Sequence, residues 1–177
     1  MIDELLDALE HGILNGRARW IADLNETFRD YSVGGHKFEI HARGQTRGKG
    51  FILSRFFAWT VLPNYKVSLY ARAVRNTTTF LRGNLIEFLK VVKKELESRG
   101  MKWAWLILLF DGDPPDRISS MVQEYSKNDI GIGCINAYSG NMVVSNNVLG
   151  RGLIKQMRLH KLVSELEHSK ERKGSVS

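Results

Sequence analysis

Residues 103–110 read Trp-Ala-Trp-Leu-Ile-Leu-Leu-Phe, eight consecutive apolar side chains with no alternation. That length suits a strand, and a strand with no polar face has to be covered on both sides, so this segment predicts a central position in a layered α/β sheet. Its flanks agree. Leu85, Phe88, Leu89, Val92 and Leu96 recur at helical spacing before it and end at Arg99-Gly100, a basic residue and a glycine of the kind that close helices. After it, Asp113-Pro114 reads as a helix start, with Ile118, Met121, Val122 and Tyr125 carrying the helix to Asn128. Residues 130–137 then form a strand. A helix between two strands predicts a right-handed parallel crossover.

The first half has other periods. Leu5, Leu9 and Ile13 recur every four residues, as do Trp20, Leu24 and Phe28, which predicts two amphipathic helices broken near Asn15-Gly16. From 36 to 43 the period is two: Phe38, Ile40 and Ala42 face one way and Lys37, Glu39, His41 and Arg43 the other. A Gly-rich loop, 44–50, follows, and 51–61 and 66–74 read as further strands joined near Pro63-Asn64. Three strands in a row predict an antiparallel meander. Residues 142–144 add a short strand after the Ser139-Gly140-Asn141 turn, and 149–167 a last helix. The expected fold is α/β: one mixed sheet, a meander followed by a parallel βαβ crossover, with helices on both faces.

At 177 residues the chain fits one domain, expected over 1–167, with a polar, disordered tail at 168–177. Its single cysteine, Cys134, allows neither an intrachain disulfide nor a cysteine zinc cluster, so a reducing cytoplasmic setting is the expectation. The longest apolar run is too short to cross a bilayer. Charge is unevenly placed: residues 35–102 carry fourteen Lys and Arg against four Glu, a local excess of +10 in a chain whose total is +7. Clustered positive charge draws polyanions, because each neutralised phosphate releases condensed counterions whatever the base sequence. Nucleic acid, DNA or RNA, is the expected partner.

The order helix, three strands, helix, strand, helix, strand over about 25–144 resembles the restriction-endonuclease-like fold of the PD-(D/E)XK nucleases. The resemblance implies an Asp on one central strand and a Glu-x-Lys on the next, holding Mg²⁺ and polarising the attacking water. The chain departs from that motif. Its third strand reads Ser68-Leu69-Tyr70-Ala71-Arg72 and has no carboxylate, and neither has 51–60. The surviving catalytic candidates are Glu39 and His41, on one strand face, with Asp30 or Glu26 as a second carboxylate; the alternative for Glu39 is a solvent-side residue paired with an Arg. A second acidic pair, Asp111 and Asp113, follows the apolar strand. It resembles the Asp-x-Asp of Toprim domains and could join Glu39 as a metal ligand, although helix capping accounts for Asp113 equally well.

For binding, Arg43, Arg47 and Lys49 are interleaved with glycines, a pattern that serves either a phosphate grip or an ordinary solvated loop. Arg72, Arg75 and Arg82 follow the third strand, and Arg151, Lys155, Arg158 and Lys161 recur along the last helix. Three basic elements predict one joint surface. Trp20, Phe28, Phe56, Phe57, Trp59, Trp103 and Trp105 are expected in the core. Three functions stay open: a nucleic-acid-binding module of nuclease-like fold without the usual metal site, a Mg²⁺-dependent nuclease with a migrated acidic site, and a basic module for an acidic protein partner.

Overall fold

The computed structural model describes residues 1–16, 22–46 and 65–174. Among them, six strands form one mixed sheet whose spatial order equals chain order: β1 (Ala22–Val33), β2 (His36–Thr46), β3 (Lys66–Val74), β4 (Trp103–Phe110), β5 (Ile130–Asn136) and β6 (Met142–Val144). β1, β2 and β3 pair antiparallel, β3, β4 and β5 parallel, and β5 and β6 antiparallel. All eight residues of β4 are buried, and it is central, as its composition requires. The described helices are α1 (Ile2–Leu14), α2 (Arg82–Ser98), α3 (Asp116–Glu124), α4 (Val148–Gly152) and α5 (Leu159–Gly174). None is long and apolar enough to cross a membrane.

Two apolar layers sandwich the sheet. On one face Leu5, Leu9 and Ile13 of α1 and Leu159, Leu162 and Val163 of α5 pack over Ile40, Leu69 and Ile107. On the other, Leu85, Phe88 and Val92 of α2 and Ile118 and Val122 of α3 pack over Tyr70, Leu106 and Ile132. Each large apolar side chain removed from water in this way contributes roughly 1.5–3 kcal/mol.

The structure corrects several expectations. Leu24 and Phe28 do not belong to a second helix; from Ala22 onward the chain is β1, the edge strand of the described sheet, and Trp20 lies outside the described residues. Gly34 and Gly35, at φ 55° and 78°, form the tight turn that pairs Val33 with His36. Two successive positive φ values suit the twist of a hairpin and favour glycine at both places. The strand was disguised because its pairing slips between Leu24 and Glu26 and bends again at Asp30 (φ 54°), so its side chains do not alternate cleanly. The three-strand meander exists, but consists of β1, β2 and β3; the strand expected at 51–61 lies outside the described residues. Gly44, Gln45 and Thr46 are strand, not loop. Gly44 has no room for a side chain, since a Cβ there would stand 1.7 Å from the Asp23 carbonyl oxygen.

Helix α3 starts at Asp116, later than Asp113, and makes no side-chain cap bond. The last helix is broken: α4, capped by the Asn147 side chain on Gly150 N–H, runs into a π turn (Leu153–Met157), and Arg158 at φ 48° precedes α5. α5 continues to Gly174, beyond Glu167.

Candidate functional site

Strand pairing lines up polar side chains on the sheet face that α2 covers. Phe28, His41 and Tyr70 make one cross-strand row, Glu26, Arg43 and Ser68 the next, and Gln45 faces Lys66 beyond them. His41 is fully buried. Its ring stacks on Tyr31 and Tyr70, with centroids 4.1 and 4.4 Å away. Nδ1 lies 3.1 Å from the Leu69 carbonyl, and Nε2 accepts from Arg43 Nε at 2.8 Å. That pattern assigns a neutral ring protonated at Nδ1. Burial, reinforced by the Arg43 charge, pushes the His41 pKa down to about 4.

The network continues to α2. Arg43 also donates to the Tyr31 hydroxyl (3.2 Å), which itself donates to Glu95 Oε1 (2.6 Å) and accepts from Arg99 (3.0 Å), while Arg99 Nε bonds Glu95. Burial works against the ionised Glu95 carboxyl, but the bonds from Tyr31 and Arg99 outweigh it and hold the group below its ordinary range. Burial, with Glu95 adding to it, raises the Tyr31 phenol. Glu95 thus compensates Arg99. Arg43, by contrast, donates to two neutral acceptors, and among the described residues neither it nor Lys66 forms an ion pair. In the next places on β3, the buried Ser68 and Tyr70 hydroxyls face each other and have no other hydrogen-bond partner among the described residues.

Above this network lies a cleft of about 390 Å³, lined by Glu26, Arg43, Gln45, Lys66, Arg99 and Met101 among others. Three cations and one carboxylate border it. It can hold an anion by charge-assisted hydrogen bonds, and Arg43 offers a planar fork for phosphate or carboxylate.

The acidic candidates are dispersed. Glu39 Oε2 accepts from the Ala73 backbone N–H (3.0 Å), at the point where the β2–β3 ladder stops, so its carboxylate replaces a missing main-chain acceptor. The alternative, a solvent-side Glu39 paired with an Arg, would need an ion pair that it does not form among the described residues. Asp30 pairs with Lys37 at 2.9 Å. Asp111 Oδ1 accepts from Thr77 N–H and hydroxyl, and Asp113 Oδ1 accepts from Asn136 Nδ2 at 2.7 Å in place of capping α3. Among the described residues, no group of three or more His, Cys, Asp or Glu is placed to hold a metal ion.

The basic candidates divide. Arg47 and Lys49 lie outside the described residues. Arg72 donates to the Lys37 carbonyl and lies over the Phe88 ring at 5.3 Å, while Arg75 forms a two-pronged ion pair with Asp3 at 2.6 and 3.0 Å. These two line a separate, smaller hollow of about 220 Å³. Arg151, Lys155 and Arg158 are exposed on the α4–α5 side, the opposite layer from the cleft, so among the described residues these basic side chains do not share one surface with Arg43.

The sequence reading missed Lys66, Arg99, Tyr31 and Glu95 as site residues. A signal was present: Lys66, Ser68, Tyr70 and Arg72 put polar groups at every second place of a strand otherwise apolar. Phe28, expected in the core, is 39% exposed. Comparison with protein-family models, curated proteins and solved structures finds no match.

Proposed function

We propose that this chain is a nucleic-acid-binding module that holds backbone phosphate in the cleft between β1–β3 and the end of α2. One observation carries the reading: Arg43 and Lys66 border a concave site without carboxylate partners of their own among the described residues. An ionic site built this way gains by admitting an anion, and the charge excess of 35–102 points to one that is repeated along a chain. The element order also supports the restriction-endonuclease-like resemblance, and within it we read this protein as a binder that does without the family's metal site. Glu39 Oε2 already serves the Ala73 N–H, and among the described residues no group of three or more His, Cys, Asp or Glu gathers with it.

The test is a salt-titrated binding assay on unrelated sequences. Lys66→Ala, a change at an exposed residue, should weaken binding alike on all of them and flatten the plot of log affinity against log salt by about 0.7–0.9. Unchanged slope removes Lys66 from the interface, and no binding at low salt removes the proposal. Incubation of the same substrates with Mg²⁺ or Mn²⁺ should leave them intact; cleavage lost in Glu39→Gln would restore the nuclease reading.

A further inference from the structure

Two exposed aromatic rings lie in segments that supply residues of the cleft. Phe28 on the edge strand is 39% exposed and Tyr65, immediately before β3, is 40% exposed. The Arg43 guanidinium lies 4.9 Å from the Phe28 ring centroid, and Lys102 Nζ lies 5.6 Å from that of Tyr65. Each ring therefore adjoins a cation, and each belongs to a strand or turn that supplies the cleft: Phe28 follows Glu26 on β1, and Tyr65 precedes Lys66. Phe38, Phe80, Phe88, Phe110, Trp103 and Trp105 are buried. Among the described residues the remaining exposed large aromatic is Tyr138, in the β5–β6 turn, so two of three flank one cationic site.

Exposed rings interleaved with cations match one form of nucleic acid. In a duplex each base is stacked on its neighbours and shows only its edges, so a protein ring has no π face to meet. An unpaired strand offers those faces at every nucleotide, and stacking on an aromatic side chain contributes about 1–3 kcal/mol per base with little sequence preference. The cleft volume, about 390 Å³, falls in the range of sites that enclose one small molecule, a scale that suits a single nucleotide unit. We propose that the site takes an unpaired nucleic-acid strand, with a backbone phosphate on Arg43, Lys66 and Arg99 and the bases on either side stacked on Phe28 and Tyr65. This inference rests on the nucleic-acid reading above and specifies its substrate.

The experiment compares fluorescently labelled 12-nucleotide dT and rU strands with a 12-base-pair duplex by anisotropy, with polyphosphate as a base-free competitor. Single strands should bind at least about tenfold tighter than the duplex, and polyphosphate should compete poorly. Phe28→Leu and Tyr65→Leu should each lower single-strand affinity about tenfold while leaving duplex affinity and the salt slope unchanged, and Phe28→Trp should retain binding. Both residues are exposed, so thermal melting should show the variants folded. Duplex binding equal to or tighter than single-strand binding, or Leu variants that bind like the parent, overturns the inference. If that happens while Lys66→Ala still flattens the salt slope, the nucleic-acid reading stands without it. If neither form of nucleic acid binds, both fall.

Discussion

β4 and β3 lie side by side and parallel, yet they treat polar groups in opposite ways. Every side chain of β4 is apolar apart from the indole N–H groups of Trp103 and Trp105, and that of Trp105 donates to the Leu149 carbonyl at 2.9 Å. β3 is nearly as buried but carries Ser68 and Tyr70, whose hydroxyls have no partner beyond each other among the described residues, next to the buried His41 of β2. The parallel half of the sheet is a dry core that could be exchanged for another apolar packing. The antiparallel half holds polar groups at a cost to stability that packing does not return, and the cleft opens there. A buried polar network is therefore the better guide to function in this molecule than the carboxylates of a familiar motif.

The comparison can be broken most forcefully on its dry side. Leu108→Asp should cost at least about 4 kcal/mol and leave little soluble folded protein, because the carboxylate would have no partner in a doubly covered strand. A folded Leu108→Asp variant, seen by circular dichroism and denaturant titration, would show that β4 is not the closed core described.

On the polar side the next largest effect is a pH dependence. The folded His41 pKa, about 4, lies below its ordinary 6.5, so the unfolded chain takes up the proton first. Stability is then complete above about pH 6.5 and falls as pH drops toward 4, by about 3 kcal/mol in total. Glu95, held below its ordinary range, adds a loss of the same sign that begins as pH falls below its ordinary value of 4.5. Denaturation at a series of pH values should show this slope, and His41→Gln should flatten it; an unchanged slope would mean the proton is taken up elsewhere.

Smaller again is the cost at the ladder end. Glu39→Ala leaves the Ala73 N–H unpaired and should cost about 1–3 kcal/mol, whereas Glu39→Gln keeps a carbonyl acceptor and should cost clearly less. Equal losses would assign Glu39 a role that needs its charge.

What could be read from the sequence follows the same division. β4, its parallel partner β5 and helix α2 were legible because uninterrupted apolarity and a 3.6-residue period are unambiguous signals. β1 was not, since its register slip and the bend at Asp30 spread apolar residues at intervals that imitate a helix; the Gly34-Gly35 pair was the clue that outweighed them. Among site residues, Arg43 was singled out and lines the cleft. Lys66 and Arg99 were not, because residues brought together by strand register and a helix terminus share no local pattern. Glu39 and His41 were chosen for sharing a strand face, but chain spacing cannot tell that one carboxylate is turned to a backbone N–H and one imidazole is sealed between tyrosines.

The two apolar layers are completed by different stretches of chain, and that sets an order on assembly during synthesis. The layer beneath α2 and α3 draws its buried residues from no later than Cys134. The opposite layer needs Leu149, Leu153, Met157, Leu159, Leu162 and Val163 to join Leu5 and Leu9, which are made well before them. The cleft side can therefore close while Ile107, Leu109 and Ile135 on the other side of the sheet still wait for cover. A nascent chain stalled before residue 149 would carry its polar network in place on a body with one bare apolar flank, the form in which a chaperone would meet it and in which it would aggregate.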